Sequence, residues 1–200
     1  MNFSDTVKGS LLEGFYPAGW DFEKIDRCCA QPPEEITRRQ KEWNKGFSPV
    51  ECATLADFEV MMGHEIAMQI RAAAERGQQL AMILPVGPMG MYRWAVYFLR
   101  EWKVSCGHVH TFNMDEWADA EGNTLSADDP ASFRYSMERA LFDPLGELTV
   151  PPAQRNFATK DNLPQYPAKI AALKAAGAKL LLVYGIGPMC HIAFWEPHFA

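Results

Sequence analysis

Nowhere in the 200 residues do lysines and arginines gather into a basic patch, and the formal net charge is −6. A nucleic-acid surface needs such a patch to neutralise phosphates, so that class of partner is excluded. No apolar run approaches the ~18 residues that a membrane-spanning helix requires, so no membrane partner is expected. The start, "MNFSDTVKGSLLEG", lacks the basic-then-apolar order of a secretory signal. The 5 cysteines are odd in number and form no CxxC, which argues against a disulfide framework. A reducing compartment, the cytoplasm, is the expected location. Internal repeats and low-complexity tracts are also missing. With hydrophobic residues at 48% and charged residues at 22%, what is left is the composition of a soluble globular chain, long enough for one domain with a sizeable core.

Residues 1–50 show little periodicity. "FYPAGW", "CCAQPPEE" and "NKGFSPVE" are Pro/Gly punctuation around one plausible short helix, "PEEITRRQKEWNK". The expectation is an N-terminal extension packed on a main domain of residues 51–200, with Trp20 and Trp43 helping it dock. From Leu55 a regular rhythm begins. A helix starts at the cap candidate Thr54 and stops at Gly77. A buried strand, "QLAMIL", is followed by the helix "GMYRWAVYFLREWK" and the strand "HVHTF". "DPASFRYSMERALFDPL" reads as a helix with Asp129 as its cap and Pro130 in its first position. "YPAKIAALKAAGAK" is a helix stopped by Gly177, and "KLLLVY" a second fully buried strand. This alternation predicts an α/β fold: a Rossmann-like, mostly parallel sheet with helices on both faces.

In open α/β sheets ligands bind beyond the carboxyl ends of the strands. Three such ends carry unusual residues: "LPVGPMG" (84–90), "FNMDEW" (112–117) and "YGIGPMCHIAFWEP" (184–197). Asp115 and Glu116 sit directly after a strand. As turn neighbours they point in different directions, so they are exposed acids or one of them is a general base. His191 is a buried histidine bonded to backbone, or a proton relay oriented by Glu196. Gly185 and Gly187 let backbone approach a ligand closely. "LPVGPMG" has the position of a phosphate cradle without its donors, since Pro88 removes an N–H and neither Val86 nor Met89 has a hydroxyl. His108 and His110 form an HxH pair on a strand, but no third ligand stands at a metal-site spacing, so no metal is expected.

Taken together, "HVHTFNMDEW", "DDPASFRYSM" and "YGIGPMCHIAFWEP" resemble the motifs of the glucosamine-6-phosphate deaminase/isomerase family, which is related to the 6-phosphogluconolactonases. The resemblance runs from about residue 55 to the end, in the same order. It implies a modified Rossmann-like fold, no metal or organic cofactor, and a small-molecule sugar or sugar phosphate as partner, with a homo-oligomer as an open option. The implied reaction is ring opening of an amino-sugar phosphate, proton transfer from C2 to C1 and loss of ammonia. By position, Asp115 matches the proton-moving base, His191 the ring-opening histidine and Glu196 its carboxylate partner. Gly185 matches a glycine whose backbone lies against the sugar, and Gly87, Met89, Glu116, Gly187 and Met189 complete the expected substrate contacts. The sequence departs from the family at several of these positions. Met189 stands where the family has a ring-opening aspartate, and Cys190 where it has a glycine. Gly87, Pro88 and Met89 replace Gly-Gly-Thr, and Phe199 replaces a phosphate-binding serine. The family's pattern also continues beyond the position of Ala200, so either the sequence is incomplete or a lobe is missing. A weakened sugar-binding or regulatory homologue, or an isomerase of an unphosphorylated sugar, is the alternative.

Overall fold

The computed structural model describes residues 5, 8–9, 21–32, 34–35, 44–46, 49–185 and 193. The chain divides into two compact units, one built mainly from Met1–Glu51 and the other mainly from Cys52–Gly187. In the first, helix α1 (Phe22–Cys29) opens on Asp21, whose carboxylate accepts the Lys24 N–H at 2.9 Å. Of the helix expected around "PEEITRRQKEWNK", Glu34 and Glu35 are helical. The rest of it lies mostly outside the described residues, as do Trp20 and Trp43.

The second unit begins with α2 (Leu55–Glu75). Thr54 caps it reciprocally: its hydroxyl accepts the Asp57 N–H, and the Asp57 carboxylate accepts the Thr54 N–H at 3.1 Å. Gly77 ends α2 with φ +61° and Gly177 ends the helix Tyr166–Ala175 with φ +85°, a conformation that a side chain would strain. Between them come β1 (Leu80–Leu84), α3 (Gly90–Glu101), β2 (Val109–Asn113), α4 (Phe133–Met137), a π-helical turn (Glu138–Phe142), α5 (Asp143–Leu145), β3 (Arg155–Asn156) and α6 (Tyr166–Ala175). β4 (Lys179–Leu182) follows α6. The four strands are parallel, in the order β3-β2-β1-β4.

Alternation along β1 sends Leu80, Met82 and Leu84 to one face and Ala81 and Ile83 to the other. The first face packs on Ile66 and Ile70 of α2, Met91, Ala95 and Leu99 of α3, and Met137, Leu141 and Phe142. The second is covered by α6 through Tyr166, Ile170 and Leu173, with Tyr166 edge-on to Phe112 at 5.1 Å. Helices therefore cover both faces, as the alternation predicts. α2 and α3 cross at Gly63, where a Cβ would overlap that of Trp94 and lie 2.6 Å from the Met91 carbonyl oxygen. Among the described residues, no helix is long and apolar enough to cross a membrane.

Three local expectations change. The helix expected from Asp129 starts at Phe133 with Ser132 as N-cap; Asp129 instead accepts the Ala131 N–H at 2.9 Å in a turn. The two-residue strand β3 carries no apolar run and is held by side-chain amides. Gln154 donates to the Val109 carbonyl at 2.7 Å and Asn156 to that of Thr111 at 3.1 Å. β4, expected to be fully buried, takes an edge position, and Leu180 and Leu182 are 40% and 51% exposed.

Candidate active site

The order β3-β2-β1-β4 brings the segments after β1, β2 and β4 to one edge of the sheet, the edge where open α/β folds bind ligands. After β1 the chain passes through Pro85–Gly90, with Gly87 at φ +107° and a cis Gly87–Pro88 peptide, into α3. Tyr92, fully buried in α3, donates its hydroxyl to the Pro85 carbonyl at 2.5 Å and so ties the loop to the helix. Val86 and Met89 pack against the hydrophobic core. The side chain of Met89, expected at the substrate, is thus engaged inside the protein, which leaves its backbone for the crevice.

After β2, the Met114 N–H donates to the Leu84 carbonyl at 3.1 Å and extends the strand pairing by one residue. Asp115 follows, half-buried. Burial first, and then the negative charge of Asp115, push the Tyr92 phenol well above its ordinary value. Tyr92 therefore stays neutral beside the carboxylate. Asp115 lines a cavity of about 490 Å³ with Met114, Thr124, Thr159, Lys160 and Ala193. Ala193, at φ +54°, lines the same cavity as Asp115. Gly185 is exposed directly after β4. Gly187, Met189, His191 and Glu196, with Cys190 and Phe199, lie outside the described residues.

Glu116 points elsewhere. Its Oε1 accepts the N–H groups of Trp117 and Phe133, both at 2.9 Å, and its Oε2 accepts the Ser132 hydroxyl at 2.9 Å and the Arg134 N–H at 2.8 Å. Ser132 Oγ in turn accepts the Tyr135 N–H. The carboxylate thus satisfies the first turn of α4 and complements its dipole. Glu116, read from the sequence as a substrate contact, is fully engaged at this helix start, and its geometry is that of a structural cap.

Asn113 was missed by sequence reasoning. It ends β2 and is 1% exposed, yet among the described residues neither amide atom finds a hydrogen-bond partner, and the Thr111 hydroxyl is equally unmatched. Buried polar groups normally find partners, so this amide, two residues before Asp115, stands out next to the candidate site. The available signal was a polar residue at a core-facing strand position. The HxH pair is occupied otherwise. His108 Nε2 donates to the Ile70 carbonyl at 3.0 Å, and His110 Nε2 lies 3.1 Å from Gln79 Oε1, its pKa lowered by burial. No group of three His, Cys, Asp or Glu suited to a metal occurs among the described residues. A larger hollow of about 860 Å³ opens near Arg71, Gln78, Trp102, Lys103 and His108, at the amino ends of the strands. It lies at the opposite end of the strands from Asp115, and the smaller cavity with Asp115 is the candidate site.

No family model matches the chain. Curated relatives do. A glucosamine-6-phosphate deaminase of Porphyromonas gingivalis is 37% identical over 129 residues, 64% of this chain and 47% of its own. One of Aedes aegypti is 38% identical over 120 residues, 57% of this chain and 40% of its own. One of Borrelia garinii is 30% identical over 153 residues, 72% and 53% respectively. A solved structure described as a monomeric glucosamine-6-phosphate deaminase superposes with a TM-score of 0.57 at 23% identity, over 72% of this chain and 57% of its own, and shows the shared fold. The chain is a sequence relative of the glucosamine-6-phosphate deaminases, and it spans about half the length of the curated relatives it matches.

Proposed function

We infer that this relative of the glucosamine-6-phosphate deaminases is an enzyme of amino-sugar metabolism. It opens the ring of a 2-amino sugar or its phosphate and converts it to a ketose with release of ammonia. The catalytic unit is residues 51–200, with 1–50 as an extension, and the compartment is the cytoplasm. The reaction balances as 2-amino aldose plus water giving 2-ketose plus ammonia. Ring opening needs a proton taken from the anomeric hydroxyl and one given to the ring oxygen, the role of His191 with Glu196 as its orienting carboxylate. Asp115 then takes the C2 proton and delivers it to C1, and water replaces the amine at C2. Gly87, Met89, Gly185, Gly187 and Met189 are the proposed sugar contacts.

The observation that carries this assignment is the placement of Asp115 and Ala193 on one cavity. In the sequence, Ala193 stands between His191 and Glu196. The carboxylate is half-buried beside a tyrosine that burial keeps neutral, so it is the charged group suited to proton transfer there. Asp115→Asn is expected to abolish hydrogen exchange between C2 and tritiated solvent and to lower ammonia release by at least ~10²-fold, the usual worth of a positioned base. Circular dichroism of the variant should match the parent. Undiminished exchange in a folded Asp115→Asn protein would remove Asp115 from the mechanism.

A further inference from the structure

Between Glu116 and Ser126 the chain folds into a short hairpin beside the Asp115 cavity. Ala118 and Thr124 pair antiparallel, the Leu125 N–H donates to the Trp117 carbonyl at 3.3 Å, and the Asp119 N–H to the Asn123 carbonyl at 3.0 Å. Asp119 builds the turn. Its carbonyl accepts the Gly122 N–H at 3.0 Å, and its carboxylate accepts the N–H groups of Glu121 and Asn123 at 3.0 and 2.8 Å. The hairpin is therefore bonded within itself and can move as one piece. Both of its ends are fixed at the start of α4. Glu116 accepts the Phe133 N–H, and the Ser126 carbonyl accepts the Asp129 N–H at 3.0 Å in the turn that leads into that helix. None of the residues from Trp117 to Leu125 is buried, so little apolar packing holds the hairpin down, and units of that kind open at low free energy. Its tip is tied by Lys160, on the segment after β3. Lys160 Nζ donates to the Glu121 carbonyl at 2.7 Å, and its stem lies across Gly122, where a Cβ would come 3.6 Å from Lys160 Cδ. Ala118, Gly122 and Thr124 of the hairpin line the cavity from one side of this contact, and Thr159, Lys160 and Leu163 line it from the other.

We propose that the hairpin Trp117–Leu125 is a lid on the Asp115 cavity and that Lys160 is its latch. The pinned base acts as the hinge. The tip opens when the Lys160 ammonium leaves the Glu121 carbonyl for water, and it closes again over a bound ligand. The ammonium loses little by this exchange, because its partner is a neutral carbonyl at an exposed position, so opening needs no rearrangement of the core. Closure excludes water from the carboxylate of Asp115, which is what proton transfer in the cavity requires. The choice of a sugar phosphate as the probe below rests on the function proposed above; the latch does not.

The test is hydrogen–deuterium exchange of the full chain, of Lys160→Met and of Lys160→Arg, read at the amides of Asp119, Gly122, Asn123 and Leu125, with and without glucosamine 6-phosphate. Lys160→Met keeps the stem and removes the donor, and at an exposed position it spares the fold. The four amides are expected to exchange at least ~5-fold faster in Lys160→Met, the effect of one lost hydrogen bond on a local opening equilibrium. Lys160→Arg restores a donor and should return to the parent rate. A protease that cleaves after glutamate should likewise cut Lys160→Met faster at Glu121. In the parent, glucosamine 6-phosphate should slow exchange at the same four amides. Equal exchange in the parent and in folded Lys160→Met overturns the latch. Protection of Met114 to Glu116 by the sugar phosphate, with none in the hairpin, overturns the lid. If the sugar phosphate protects nothing, the sugar function fails, and the Lys160→Met rates alone decide the latch.

Discussion

Replacing Glu116 by alanine separates a cap from a ligand contact. The carboxylate holds four donors, and two of them, the hydroxyl of fully buried Ser132 and the N–H of half-buried Phe133, are poorly reached by water. Hydrogen bonds to a charged acceptor contribute about 1.5–3 kcal/mol net, and an abandoned buried donor costs about 1–3 kcal/mol. The Trp117 and Arg134 N–H groups are more exposed and regain water. Two effective losses put Glu116→Ala near ~3 kcal/mol. Glu116→Gln keeps one acceptor oxygen and loses the helix-dipole complement, for about 1–2 kcal/mol. With a urea slope of ~2 kcal/mol per molar, the alanine midpoint falls by ~1.5 M and the glutamine midpoint by ~0.5–1 M. Amide exchange should accelerate first at Phe133, Arg134 and Tyr135. An alanine variant whose urea midpoint is unchanged but whose sugar affinity collapses would refute the cap and return Glu116 to the ligand.

Other expectations concern the rest of the domain. Gly63→Ala must push α2 off α3, because its Cβ would meet the Met91 carbonyl and, at 2.8 Å, the Ala95 nitrogen; a loss of ~2–3 kcal/mol is expected in thermal or urea melts. Loss below ~0.5 kcal/mol would mean that the helices separate freely. Cys106 is fully buried, and burial pushes its thiol up to about 12. Peptide mapping after iodoacetamide treatment at pH 8 should therefore find label on half-buried Cys52 and none on Cys106 until urea is added. The unfolded thiol ionises first as pH rises, so this group withdraws stability between about pH 8.5 and pH 12. His110 acts at the other end of the scale. Its folded pKa is lowered by burial, so the unfolded chain takes up the proton first and stability falls as pH drops below ~6.5. His110→Asn should flatten that part of the midpoint-against-pH curve, and an unchanged slope would contradict it.

Where the signals were local, the sequence was legible. Thr54, Gly77 and the apolar spacing between them delimit α2 because cap, stop and period act within a turn of the residues concerned. β1 and α3 are equally clear, and the parallel order of the strands follows from the alternation. What escaped depends on partners far along the chain. The start of α4 is set by a carboxylate 17 residues upstream. β3 exists because amides stitch it to β2 from 45 residues away. The half-exposure of β4 follows from its place at the sheet edge, which no property of "KLLLVY" announces. At the site, Asp115 was visible as an acid after a strand. The capping by Glu116 and the open amide of Asn113 needed the tertiary structure.

Among the described residues, the sheet contains no hairpin. Leu80 pairs with Val109 on one side and with Lys179 on the other, and Thr111 pairs with Arg155. The pairing of β1 with β4 therefore joins segments separated by roughly a hundred residues. During synthesis at about 5–20 residues per second, β1 waits on the order of 5–20 s for the partner that completes its second edge. Throughout that interval the nascent chain presents an apolar strand with one edge unpaired, and refolding of the free chain must close the same long loop before the contact repays it. Expression at lower temperature or with abundant chaperone should raise the soluble yield for this kinetic reason, with no change in the stability of the finished protein.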